Sequence, residues 1–343
     1  MMKRSLQALA LIWMHSTLAL GAGPLECSAP AGAGKYTAWR AAAAQALARR
    51  ADARSLATAA ALCFVASGPK VRADAAAAKT AVDLAARASE LDARSSSIGW
   101  LRLQLCASSA GCDIREAATT LRWVDADNGA VWLPTLAAAQ KEKDPAEIDR
   151  ILSDMAEGSR FDFYWNPTVV LLFDGLKGAG GDMPPHYLPS DLARLSEAML
   201  VAGEEIAPPL SPVTNACRDP LSTERRESCL QLARIMQKAD TVAAQMAGLH
   251  IEKHLAPADG KEARAVAERR RVLEWRVASA NREAGPVLPW LKNAIARERI
   301  AEMRAAPREE DVDITILRQH RLPLDPPEDR PSSSQSAAPQ SSQ

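Results

Sequence analysis

His250 and His254 stand four residues apart, one helical turn, and two imidazoles at that spacing can share a metal ion. A catalytic zinc helix needs Glu directly after the first His, where Ile251 stands, or directly before the second, where Lys253 stands. Beyond residue 23 the remaining histidines are His186 and His320, and neither stands out as a third ligand. No metal or other cofactor is therefore assigned, and one histidine is read as near the core with the other in solvent. Gly32-Ala-Gly34-Lys35 has the end of a phosphate loop but lacks the opening glycine at Ala29, the hydroxyl at Tyr36 and a preceding strand. It reads as a flexible leader. Asp125/Asp127 and Glu204/Glu205 are carboxylate pairs of the kind used in acid–base chemistry. The first falls in an inter-helix turn, where capping accounts for it. The second ends a helix before Pro208-Pro209. No G-x-S-x-G elbow is present, and no catalytic residue is assigned.

The cysteines are Cys27, Cys63, Cys106, Cys112, Cys217 and Cys229, an even number with no C-x-x-C spacing. That excludes a thioredoxin-like site or a zinc ribbon and favours three disulfides in an oxidising compartment. Of the many possible pairings, the nearest neighbours are Cys106/Cys112 and Cys217/Cys229, which leaves Cys27/Cys63 by elimination. The amino terminus agrees with export. Lys3 and Arg4 precede an apolar stretch, Leu6 to Leu20, and Ala19-x-Gly21 or Gly21-x-Gly23 offers a cleavage site. Residues 1–23 are read as a signal peptide. Leu25-Glu26-Cys27 lacks the small residue expected before a lipidated cysteine. No later segment is long and apolar enough to span a membrane, so the expected location is periplasmic or secreted.

The elements that must position any site are helical. The chain is 47% hydrophobic but only 4% aromatic, and alanine and leucine dominate. Alanine is the best helix former, and alternating strand patterns are hard to find. Helices are expected at about 37–50, 52–67, 73–91, 97–107, 114–124, 129–143 and 145–157, with Gly68-Pro69 breaking the pattern. Further helices are expected at about 190–203, 221–238, 241–254, 261–282, 287–305 and 309–320. Trp100, Trp132 and Trp165 are spaced by 32 and 33 residues. Asp113-Ile-Arg-Glu116 and Asp144-Pro-Ala-Glu147, 31 residues apart, are matching capping boxes. Ile148, Ile151, Leu152 and Met155 then make one buried stripe.

Helix pairs at this period resemble a tetratricopeptide-like repeat, with Asp127 to Leu136 like the first helix of a unit. Thr135, Leu136 and Ala139 depart from the repeat's leucine, glycine and aromatic positions. The resemblance implies antiparallel helical hairpins stacked as a solenoid over residues 24–173. A Gly/Pro-rich linker with one helix (174–216), a C-terminal helical region (217–320) and a disordered tail (321–343) rich in Pro, Ser and Gln complete the expected organisation. The Asn128/Trp132 spacing, the Arg160 to Asp162 step and the Cys217/Cys229 helix start also resemble a group of secreted proteins of Xanthomonas and Lysobacter relatives that carries no assigned activity.

The net charge is zero, and basic runs such as Arg269 to Arg271 interleave with Glu268 and Glu274, which gives no basis for binding nucleic acid. Phe161, Phe163, Tyr164 and Trp165 form the one dense aromatic cluster, either a cap on the repeat core or an exposed recognition patch. Stacked hairpins present extended surfaces for partners. The expectation is a protein-binding scaffold, with Asp127, Asn128, Trp132, Phe163, Tyr164 and Trp165 at the contact surface. The alternatives are a periplasmic cell-wall-active enzyme on a helical-repeat body, or a self-associating envelope component. The local pattern around the catalytic Glu of superhelical lytic transglycosylases is not found.

Overall fold

A computed structural model describes residues 27–72, 75–180, 190–218, 220–256, 260–283 and 292–327. The expected signal peptide, residues 181–189 of the Gly/Pro-rich stretch and residues 328–343 of the expected disordered tail lie outside the described residues, as do His186 and Trp290. Among the described residues the protein is all-α, with fifteen α-helices and one isolated bridge between Asn128 and Arg160.

The chain begins as a run of helices, each packed on the next: α1 (Lys35–Ala48), α2 (Ala53–Arg72), α3 (Ala75–Leu91), α4 (Ser96–Ala107) and α5 (Ile114–Val124). A 3-10 turn, Gly129–Trp132, leads into α6 (Leu133–Glu142), which pairs with α7 (Pro145–Glu157). Then the chain turns back. Helix α8 (Trp165–Leu176) lies on α2, and α9 (Ser190–Leu200), extended by a π-helical turn Val201–Ile206, lies on α8. Short α10 (Ser211–Ala216) meets α6, α11 (Thr223–Met236) packs on α7, and α12 (Val242–Leu255) packs on α11. Helix α13 (Lys261–Glu283) follows on α12. Helix α14 (Lys292–Ala305) returns to α8 and α9, and α15 (Glu309–Gln319) bridges α13 and α14.

Local chemistry explains many of these boundaries. Asp113 and Asp144 are N-caps whose carboxylates accept the backbone N–H of Glu116 (3.0 Å) and Glu147 (3.1 Å). The reciprocal half of each capping box is replaced by ion pairs. Glu116 binds Arg102 and Glu147 binds Arg150, so neither carboxylate reaches back to its cap. Ile151, Leu152 and Met155 are fully buried, as their stripe requires, with Ile148 at its edge. Helix α2 does not stop at Gly68-Pro69 but continues to Arg72. The missing N–H of Pro69 removes one bond near the end of a helix already anchored by a buried run, Leu56 to Val65. Helices α8 and α10 were not expected. In α8 the β-branched, continuously apolar run Thr168-Val-Val-Leu-Leu-Phe173 carries no helical periodicity, and it is helical because both of its ends are buried in other elements.

Two cores hold the molecule. One joins α1–α4 to α8, α9, α14 and α15. The other joins α4–α7 to α10, α11 and α12. Both cores therefore draw on residues from either side of 174–216. Helix α4 belongs to both: Ile98, Leu101 and Leu105 face the first, and Trp100, Leu103 and Cys106 face the second. A helix apolar all round is a buried helix. Three disulfides pin the assembly, Cys27–Cys63, Cys106–Cys112 and Cys217–Cys229, the pairing expected from the spacing. No helix among the described residues is long and apolar enough to cross a membrane.

Candidate functional site: an apolar pocket beside the Phe161–Trp165 segment

The segment between α7 and α8 is organised by one buried amide. Asn128 Oδ1 accepts from the N–H of Ala130 (3.1 Å) and Asp162 (2.9 Å). Its Nδ2 donates to the Asp162 carbonyl (2.9 Å) and the Tyr164 hydroxyl (3.0 Å). The hydroxyl in turn donates to Asp125, whose carboxylate also takes Arg160. Burial, and then the Asp125 carboxylate, push the Tyr164 hydroxyl well above its ordinary range, so it stays a donor. The close pass of this chain against α7 depends on Gly129, where a Cβ would stand 2.7 Å from the Met155 carbonyl.

Tyr164 sits at φ +53°, left-handed for a residue with a side chain, at a cost of about 1 kcal/mol. Its ring packs on Trp100 at 5.7 Å between centroids, and its hydroxyl network holds it there. This backbone turn lets two N–H groups meet one acceptor. Phe163 N–H and Trp165 N–H donate to the two oxygens of Asp240, at 2.8 and 2.9 Å. Asp240 lies in the turn between α11 and α12, so the start of α8 is capped from 75 positions away. The Asp240 carbonyl accepts from Glu309 N–H (2.7 Å), and the Glu309 carboxylate accepts from Val242 N–H (2.9 Å). Thr241 caps α12 through Ala244 N–H (3.2 Å). Three distant stretches are thereby locked together. Burial pushes the Asp240 carboxyl up to about 7, against the pull of its two N–H donors, and burial also raises Glu309.

Beside this junction lies a pocket of about 230 Å³. Trp100, Phe163 and Trp165 form one wall. The π-helical turn and the chain after it, from Ala202 to Leu210, form another, and Thr241, Ala243 and Glu309 close the third side. Gly203 makes room for the Trp165 indole, since a Cβ there would stand 3.1 Å from its ring. Trp165 Nε1 and the Thr168 hydroxyl line this pocket, and both are buried with no hydrogen-bond partner in the protein.

The residues expected at a contact surface divide by depth. Asn128, Phe163 and Tyr164 are buried, and they cap the second core instead of forming an exposed patch. Phe163 stacks on Trp100 at 5.5 Å. Asp127 is exposed and contributes its carbonyl to Ser159 and Arg160 N–H groups. Trp132 is half-buried, with Arg122 stacked 3.9 Å over its ring and Arg150 at 5.5 Å. Trp165 is half-buried at the pocket. The three tryptophans of the repeat occupy different positions: fifth in α4, last in the 3-10 turn, and first in α8. His250 and His254 are exposed on α12, and no group of three His, Cys, Asp or Glu side chains arranged to hold a metal occurs among the described residues. Asp125 is an ion-pair partner, not a helix N-cap.

Sequence reasoning missed Thr168, Asp240, Glu309 and the exposed Trp123. Asp240-Thr241 does carry a cap pattern for α12. Thr241 fills that role, and nothing local tells that Asp240 serves another helix. In comparisons with known proteins, no family model, no curated protein and no solved structure matches this chain.

Proposed function

We propose that this chain is a periplasmic or secreted binding protein, and that it engages another protein through the pocket beside Phe163 and Trp165. The three disulfides support export to an oxidising compartment. The observation that carries the binding reading is the pair of unpartnered buried polar atoms on an apolar pocket wall. Buried polar groups are nearly always hydrogen-bonded, and a pair left open on one cavity suits an incoming group. The size supports a protein partner over a large free ligand. Drug-sized ligands occupy roughly 300 Å³ or more, whereas about 230 Å³ suits one inserted side chain with its backbone.

Ala243 is exposed at the pocket rim and Glu90 is exposed on α3. A photo-crosslinking amino acid placed at each position in turn, in cells carrying the native envelope, tests the reading. One discrete protein adduct from position 243, missing from position 90, is the expected result. No adduct at 243, or the same adducts from both positions, would overturn it.

A further inference from the structure

We propose that the pocket recognises an uncharged carbonyl group borne on an apolar body, with Trp165 Nε1 and Thr168 Oγ1 as its donors. The proposal rests on the binding reading above and names the chemistry of the group that enters. Trp165 Nε1–H can only donate, and a threonine hydroxyl can donate as well as accept. Thr168 is 3% exposed, and its hydroxyl forgoes the bond to the preceding helical turn that buried helix threonines commonly make. An acceptor oxygen placed between the two satisfies both.

The charge of the ligand follows from what surrounds it. No cationic side chain lines the pocket, and its one ionisable lining group is Glu309. A carboxylate or phosphate would enter without a counter-charge, beside an acidic residue, at the full cost of its desolvation. An ammonium would meet Glu309 but leave both donors unsatisfied. A neutral carbonyl fits the donors, and its apolar body fits Trp100, Phe163, Pro208 and Leu210. The pocket holds roughly the volume of eight waters, enough for a leucine-sized side chain and one amide. The same chemistry is offered by a segment of a partner protein and by a free acyl amide.

The probe is N-acetyl-leucine amide, titrated into the folded, disulfide-bonded chain while the indole N–H resonances are followed by NMR. Trp165→Phe identifies the Trp165 signal by its loss. N-acetyl-leucine, an anion, and leucine amide, a cation, are the charge controls. The uncharged probe should shift the Trp165 indole signal at a concentration at least tenfold below either control. Thr168→Val, which keeps the shape and removes the hydroxyl, should weaken that binding by about fivefold. The same substitution should raise the unfolding midpoint of the unliganded chain, because it deletes a buried hydroxyl with no partner. A threonine with a purely structural bond would lose stability instead.

Tighter binding of either charged control, no shift with any probe, or an unchanged affinity in Thr168→Val would overturn the proposal. The two readings fail separately. A partner adduct at position 243 with no Trp165 shift leaves docking standing and removes the carbonyl chemistry. A Trp165 shift without any adduct keeps the chemistry and assigns it to a free small molecule.

Discussion

Replacing Asp240 by Ala should cost the protein about 2–6 kcal/mol of stability. Its carboxylate takes the N–H groups of Phe163 and Trp165, and all three residues pack where α8, α11 and α15 meet. Truncation leaves two N–H groups without an acceptor, each worth about 1–3 kcal/mol. Asp240→Asn keeps one acceptor oxygen and should cost about half as much. The penalty also carries a pH signature. The carboxyl titrates near 7 in the folded chain against 3.8 for an ordinary aspartate, so the folded state keeps a proton that the unfolded chain has released. The stability this contributes is complete below the ordinary carboxylate value and is lost as pH rises through about 7. Alanine has no such proton, so the penalty should shrink between about pH 5 and about pH 8. Guanidinium unfolding followed by far-UV circular dichroism, with disulfides intact, measures both effects. A penalty within about 0.5 kcal/mol of zero, or one that grows with pH, would refute the reasoning.

Two further outcomes follow from the packing. Glu197 is buried between Arg40 Nε (2.7 Å) and Nη2 (3.1 Å) and the Tyr36 hydroxyl. Glu197→Ala should cost about 3–5 kcal/mol by stranding the Arg40 charge, and Arg40→Met with Glu197→Leu should recover most of it in the same unfolding assay. Replacing each disulfide by an alanine pair should cost about 4 kcal/mol for Cys27–Cys63, about 3 for Cys217–Cys229 and about 2 for Cys106–Cys112, following loop lengths of 36, 12 and 6. Unfolding midpoints ranked in the opposite order would count against the loop-entropy account.

The sequence was readable wherever a rule is local. Asp113 and Asp144 announced their helices, the stripe from Ile148 to Met155 announced a buried face, and cysteine spacing led to the right pairs. The site was half readable. The Phe161–Trp165 cluster marked the place, but aromatic residues bury as readily as they bind. Only packing shows that Phe163 stacks inward on Trp100 while Trp165 borders a pocket. Asp240 and Glu309 were illegible because their partners lie 75 and 67 positions away. Thr168 was illegible for the opposite reason, since its significance is a bond it does not make.

The return of α14 and α15 to the core begun by α1 and α2 sets an order of events for a chain made and exported from its N-terminus. Leu47, Leu56 and Phe64 can meet α3 early, but Ile300, Met303, Val312, Ile316 and Leu317 complete the same core only after nearly the whole polypeptide has emerged. Until then the alanine-rich early helices carry an open apolar seam, and the nascent protein depends on holding factors to keep that seam from other chains. Once closed, the seam ties the last helices to the first. A cut in the middle of the chain therefore leaves two fragments still clasped by their ends, and removing the final helices exposes what the first ones had buried.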